Sequence, residues 1–118
     1  MNIQELRIGN WYKWYAEGQY YYYQVEAKDF LNKYYKNFEP IELTEEILLK
    51  CGFEKRGLYW FDKHLDERTK FTFEWYVDGR TSFSISILKK EFDITCEHLH
   101  QLQNIYRCLT NEELKINL

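Results

Sequence analysis

The clearest alternation in the chain lies at Phe71, Phe73, Trp75 and Val77, with Thr72, Glu74 and Tyr76 between them. It returns after Asp78-Gly79 as Phe83, Ile85 and Ile87 set between Ser82, Ser84 and Ser86. A period of two is the mark of a half-buried strand, so this stretch reads as a hairpin. A two-residue Asp-Gly loop would set Phe73 opposite Ser84 and scramble the faces. A three-residue loop of Val77, Asp78 and left-handed Gly79 sets Phe73 opposite Phe83, Phe71 opposite Ile85 and Thr72 opposite Ser84, and this register is expected because one face must be buried.

Helical signals are strongest within Glu39 to Glu54. Thr44 is a good N-cap, Glu45 and Glu46 put negative charge at the positive end of the helix dipole, and Lys50 sits at the other end. Leu43 and Leu48 have staple spacing, and Gly52 is placed to end the helix so that Phe53 folds back toward Leu48. A second helix is expected near the C-terminus, where Leu99, Leu102, Ile105, Tyr106 and Leu109 form one apolar stripe, capped by Thr95 or Asp93. The Thr110-to-Glu113 capping-box pattern then predicts a last turn that brings Leu114 inward.

The N-terminal third is less regular. Ile3, Leu6 and Ile8 suggest a short strand interrupted at Gly9-Asn10. Residues 11–26 read as a hairpin around a three-residue loop of Ala16, Glu17 and Gly18, with Tyr15 opposite Gln19, Trp14 opposite Tyr20 and Tyr12 opposite Tyr22. One face then carries Tyr12, Trp14, Tyr20 and Tyr22 and runs out into Gln24 and Glu26. The other carries Trp11, Lys13, Tyr15, Tyr21, Tyr23 and Val25 and is the expected core face. Residues 27–38 read either as a strand between turns or as an irregular helical turn, with Lys28, Lys33 and Lys36 set against Asp29. Leu58 to Phe61 reads as a short strand entered through Gly57, and Asp62 to Lys70 as a charged exposed loop. The expected fold is α+β: a single domain over residues 1–118 with a small antiparallel sheet of four to five strands, a short central helix and a C-terminal helix packed on the sheet.

Composition adds one strong feature. Of 118 residues, 19% are aromatic, with 11 Tyr, 8 Phe and 4 Trp, so flat side chains must lie on the surface as well as inside. The net charge of −3 weighs against a general grip on phosphates. Cys51, Cys96 and Cys108 are odd in number and lack paired spacing, and no signal segment opens the chain, which gives the expectation of a reduced, cytoplasmic protein. No apolar run approaches the roughly 20 residues of a membrane span.

Candidate chemistry is sparse. Cys96, His98 and His100 are zinc-ligand types, but on a helix only Cys96 and His100 share a face, so neither metal nor cofactor is expected. No nucleophile signature, P-loop or dinucleotide pattern is present, and a non-enzymatic protein is expected. The aromatic hairpin is the exception. Exposed Tyr and Trp give large contact area at low rotamer cost and dominate protein interfaces, they also stack on unpaired bases, and they equally fill a small two-sided sheet. Tyr12, Trp14, Tyr20, Tyr22 and the neighbouring Lys28, Lys33 and Lys36 are therefore the expected partner-binding residues.

Three segments carry a resemblance: ELRIGNWY at residues 5–12, PIELTEEILLKCGFE at 40–54 and HLHQLQNIYRCLTNEEL at 98–114. Together these segments, about a third of the chain, resemble a family of small, mostly uncharacterised proteins encoded by bacterial phages and prophages. The tyrosine-rich hairpin is longer and more aromatic than that family pattern. The resemblance implies a phage accessory protein without catalysis, and within that pattern an anti-CRISPR inhibitor of type VI-B RNA-guided RNA nucleases. Such a protein would bind the effector and occlude its basic guide or target channel, or alter how it holds guide RNA. Direct contact with RNA would instead use Lys28, Lys33, Lys36, Lys55 and Arg56. The alternative reading is a stand-alone single-stranded nucleic-acid-binding or structural phage protein.

Overall fold

The computed structural model describes residues 6–76 and 79–118. Among these residues, seven strands and three α-helices form an α+β fold, in the order β1 (Trp11–Ala16), β2 (Gln19–Gln24), α1 (Ala27–Leu31), α2 (Glu45–Lys50), β3 (Glu54–Arg56), β4 (Trp60–His64), β5 (Thr69–Trp75), β6 (Thr81–Ile87), β7 (Lys90–Ile94) and α3 (Leu99–Thr110). A 3₁₀ turn, Tyr34–Asn37, follows α1. The strands form two sheets rather than the single one expected: β1 and β2 pair alone, and β3 to β7 form a five-stranded antiparallel meander in sequence order. The chain divides into two compact units, one holding the segment up to Leu43 with His98–Leu114 and Leu118, the other Thr44–Glu97 with Lys115–Asn117.

In the first unit, α3 lies against β1 of the hairpin. The C-terminal helix thus has the short hairpin sheet as its partner within its own unit. Its polar side chains join it to the start of the chain. Gln103 accepts the Trp11 amide through Oε1 at 2.8 Å and donates from Nε2 to the Gly9 carbonyl at 3.0 Å, while Asn104 accepts from Arg7 Nε at 3.0 Å and Asn10 Nδ2 at 2.9 Å. These hydrogen bonds hold residues 7–10 in a turn, closed by the Asn10 amide on the Arg7 carbonyl at 3.0 Å, where the sequence suggested a strand; Ile3 of that expected strand lies outside the described residues. His98, not Thr95 or Asp93, caps α3, its amide donating to Gln101 Oε1 at 3.1 Å. Thr95 and Asp93 are excluded as caps because the chain remains extended through β7 until Ile94. At the far end Asn111 takes the left-handed conformation and Leu114 is buried as expected, but the predicted capping-box turn does not form: Thr110 ends α3, its hydroxyl donating to the Tyr106 carbonyl at 2.8 Å. The segment after the hairpin is helical, with Asp29 capping α1 through a 2.8 Å bond from the Glu26 amide.

In the second unit, α2 is built as its sequence dictates. Thr44 Oγ1 accepts the Ile47 amide at 3.2 Å. At the other end Gly52, at φ +87°, allows its own amide to reach Leu49 O and the Phe53 amide to reach Leu48 O at 3.0 Å, a Schellman closure. Phe53 then stacks on Phe71 and meets Phe73 edge-on. The β5–β6 register is the expected one, with Phe71↔Ile85, Thr72↔Ser84 and Phe73↔Phe83 paired. Gly79 has the left-handed φ required of it, while Val77 and Asp78 of that loop lie outside the described residues. Phe61, Phe71, Phe73, Phe83 and Ile85 bury one face of the sheet.

One expectation about this sheet is corrected, and one strand was not foreseen from its residues. Residues 62–70 are not one exposed loop, since β4 continues to His64, β5 starts at Thr69, and Asp62 is buried under Arg56 and Thr72. Residues 90–94 form a fifth strand after a two-residue loop, Leu88-Lys89, in which both residues take positive φ. That loop is of the type I′ class usually filled by Asn-Gly, so nothing in its residues announces it.

Candidate functional site, an exposed tyrosine face

The first hairpin turns on two residues, not three. Glu17 at φ 52° and Gly18 at φ 85° form the loop, and positive φ at both central positions matches the right-handed twist of the flanking strands. Ala16 pairs with Gln19, Tyr15 with Tyr20, Trp14 with Tyr21, Lys13 with Tyr22, Tyr12 with Tyr23 and Trp11 with Gln24. Directly opposed residues share a face, so the one-residue change in loop length moves β2 by one position against β1 and exchanges its two faces. Tyr12 and Trp14 now lie with Tyr21 and Tyr23. Lys13 and Tyr15 lie with Tyr20 and Tyr22.

The first of these faces makes the core of the unit. Tyr12, Val25 and Phe38 are buried there, with Leu6, Trp14, Tyr23 and Phe30 packed against them. Tyr12 stacks on Phe38 with ring centroids 5.2 Å apart and lies 5.7 Å from the His100 ring. Its hydroxyl donates to the buried Asn10 Oδ1 at 3.4 Å. The expectation that Tyr12 is a surface contact residue is therefore corrected, because its exposure is 0%. Trp14 is half-buried, edge-on to both Phe38 and Tyr23. It stands at the margin of the core.

The second face is open. Tyr15, Tyr20 and Tyr22 expose 56%, 52% and 50% of their surface. They form a set rather than scattered side chains: Tyr15 meets Tyr20 edge-on at 5.1 Å, and Lys13 Nζ stands 4.8 Å over the Tyr20 ring. Residue 39 continues this face, because Lys13 and Glu39 exchange both backbone hydrogen bonds, at 3.0 and 2.9 Å. Glu39 consequently reaches the Tyr20 phenol. The hydrogen bond to its carboxylate, with the negative charge itself, pushes the Tyr20 hydroxyl above its ordinary pKa. Around the rim, Tyr21 is exposed and its hydroxyl accepts from Gln19.

The expected basic residues are placed separately from this row. Lys28 is exposed on α1 and paired with Glu26 at 3.2 Å, which raises its pKa and cancels its charge locally. Lys33 takes a left-handed φ of 57° just after α1, and Lys36 lies in the 3₁₀ turn; both are exposed. Of the expected partner-binding residues, the hairpin brings together Tyr20 and Tyr22, and it adds Tyr15, Lys13 and Glu39, which sequence reasoning had left out. A signal for them existed. The two-residue register gathers Lys13 and Gln24 on one face and Trp14, Ala16 and Val25 on the other, a cleaner partition than a three-residue loop makes.

Among the described residues, other chemistry-bearing side chains form no comparable arrangement. Among the described residues, no three His, Cys, Asp or Glu side chains converge as a metal site. His100 is buried beside Tyr12 in the core of its unit. Burial pushes the thiols of Cys51 and Cys96 up to about 12, far from the thiolate form a nucleophile requires. No helix among the described residues is long and apolar enough to cross a membrane. No protein-family model, curated protein or solved structure matches the chain.

Proposed function

We propose that this chain is a non-enzymatic binding protein of phage or mobile-element origin that docks its tyrosine face on a protein partner and inhibits it. The resemblance of its end and central segments supplies the partner, a type VI-B RNA-guided RNA nuclease of the host cell's cytoplasm. The observation that carries the reading is the contiguous row of Tyr15, Tyr20 and Tyr22, half-exposed and backed by a packed core. Such rings offer apolar area with a polar edge. Because the hairpin is already paired and backed by packed side chains, little freedom should be lost on docking.

A protein surface fits better than RNA. The row carries one cation and one anion, Lys13 and Glu39, and Lys28 is compensated by Glu26, so among the described residues the tyrosine face itself gathers no cluster of positive charge to displace counterions. In the effector, guide and target run through basic channels. A small protein of net charge −3 is attracted to such a groove, which speeds encounter.

The test mixes purified protein with the effector loaded with guide RNA, and reads co-elution on gel filtration beside cleavage of a target RNA. Co-elution with reduced cleavage is expected. A variant carrying Tyr20→Ala and Tyr22→Ala should lose at least tenfold in inhibition while its melting temperature stays within a few degrees. Undiminished cleavage without co-elution removes the reading. The second reading, stacking of bases on the same tyrosines, is tested by titrating a single-stranded RNA at low salt, where binding by the free protein would favour it.

A further inference from the structure

The five-stranded sheet has two edges of different character. At one end β3 is three residues long, Glu54–Arg56, and wholly polar, which is how proteins blunt an edge. At the other end β7 runs five residues, and every one is exposed. Two of them are large and apolar: Phe92 is 51% and Ile94 39% exposed.

Backbone geometry fixes what this edge offers. Ile87 and Lys90 flank the two-residue loop as a hydrogen-bonded pair, so in the antiparallel alternation Lys90, Phe92 and Ile94 turn their amides and carbonyls toward β6. Glu91 and Asp93 turn theirs to the free edge. The side chains alternate in step. Phe92 and Ile94 continue the face of Phe83 and Ile85, while Glu91 and Asp93 stand on the face of Ser84 and Ser86.

Charge on that polar face is unbalanced. Arg56 is already engaged by Asp62, its Nε lying 2.5 Å from Oδ2, which leaves Lys70 against Glu74, Glu91 and Asp93 in the same shallow concavity of about 350 Å³. Glu91 is fixed there by the Ser84 hydroxyl, which donates to it at 2.9 Å. A second copy of β7 is a poor occupant. Pairing two β7 strands antiparallel about Phe92 would set Glu91 of each against Asp93 of the other, and opposed like charges are destabilising.

We infer that the free edge of β7 is a strand-docking site for an extended segment of a partner protein that alternates apolar with cationic residues. The added strand takes the outward hydrogen bonds of Glu91 and Asp93, lays its apolar residues beside Phe92 and Ile94, and sets its Lys or Arg side chains against the two carboxylates. This site does not depend on the tyrosine face, and either can fail without the other.

Three fluorescein-labelled eight-residue peptides serve as probes: one alternating valine with lysine, one alternating valine with glutamate, and one with four lysines followed by four valines. Anisotropy titration of the full chain should show binding of the Val-Lys peptide at least tenfold tighter than of the other two, and amide shifts in NMR spectra should centre on Glu91 and Asp93. Asp93→Pro removes an outward N–H that β6 does not use, so it should abolish binding while the sheet persists. If that variant does not fold, the double variant Glu91→Lys, Asp93→Lys gives the same decision by reversing the preference toward the Val-Glu peptide. The Tyr20→Ala, Tyr22→Ala variant should bind the Val-Lys peptide unchanged. Equal affinity for the alternating and block peptides, or binding that survives both edge variants, overturns the proposal.

Discussion

Replacing Tyr12 and Tyr22 one at a time by alanine separates the two registers open to the first hairpin. With a three-residue loop the two side chains would oppose each other on one face and respond alike. In the structure they stand on opposite faces, Tyr12 at 0% exposure and Tyr22 at 50%. Burying a large aromatic side chain removes roughly 150–250 Å² from water, worth about 4–6 kcal/mol at ~25 cal/mol per Å². Measured losses for aromatic-to-alanine changes in cores run about 3–5 kcal/mol. Tyr12 has Phe38 stacked on it and His100 beside it, so its removal leaves a cavity with rigid walls, and a loss of about 4 kcal/mol is expected. That is a large part of the ~5–15 kcal/mol available to a domain of this size. Tyr12→Phe should cost less than about 1 kcal/mol, because the bond to Asn10 is long at 3.4 Å. Tyr22→Ala removes only a cross-strand contact with Lys13 and should cost about 0.5 kcal/mol. Urea unfolding followed by circular dichroism measures all three, with an unchanged m-value required for comparison. A loss below about 1 kcal/mol for Tyr12→Ala, or losses for the two alanine variants within about 1 kcal/mol of each other, would refute the two-residue register.

Ellman titration of the native protein should show one fast thiol, Cys108, with Cys51 and Cys96 reacting only after unfolding, because both are buried and their thiols are pushed up to about 12. Asp62→Asn should destabilise the protein at pH 7 and progressively less as the pH falls through the native pKa of Asp62, which lies below the ordinary carboxylate value. Burial raises the Asp62 pKa, but hydrogen bonds from Arg56 and Thr72 outweigh it and hold the carboxyl below its ordinary value. A depressed native pKa gives stability that is complete above the unfolded value and lost as pH falls through the native one. The effect should be about 1 kcal/mol, kept small by the exposure of Arg56, and equal unfolding midpoints for the two proteins at pH 7 would contradict it. Leu88→Asn with Lys89→Gly should raise stability by about 1–2 kcal/mol, since both residues now hold positive φ in a turn that favours Asn-Gly; a lower melting temperature would show that the loop is not strained.

How far the sequence could be read depended on whether the deciding interactions were local. Helix α2 was legible because Thr44, the two glutamates and Gly52 act within a few residues of one another. The β5–β6 register was legible because phenylalanine and serine differ sharply in their preference for water. In β7, Lys90, Glu91 and Asp93 outnumber Phe92 and Ile94, and the turn before it uses Leu88 and Lys89 where Asn and Gly are usual, so the strand was hidden. The cap of α3 was misplaced for the same reason: Thr95 and Asp93 are better capping residues than His98, but the strand already held one of them and the chain had not yet turned at the other. At the candidate site, Tyr20 and Tyr22 were identified, whereas Tyr15 depended on a register signalled only weakly, by Lys13 and Gln24 against Ala16 and Val25, and Glu39 on a long-range bridge that no local pattern encodes.

Tyrosine itself is why the hairpin was hard to read and why it is suited to binding. A phenylalanine at residue 20 or 22 would be costly in water, and a serine at residue 12 would leave a hole, whereas tyrosine serves in both settings. At residue 12 its ring fills the core and its hydroxyl finds Asn10; at residue 20 its ring lies under Lys13 and its hydroxyl reaches Glu39. Alternating faces therefore carry the same residue type, and the usual contrast that fixes register is absent from the sequence. What fixes it instead is the turn at Glu17-Gly18 together with Phe38, which packs on Tyr12, Trp14 and Tyr23 from one side only. One side of the hairpin is thereby committed to the core. The rings on the other side stand on a packed backing and remain in contact with water, the condition under which tyrosine gives most to an interface.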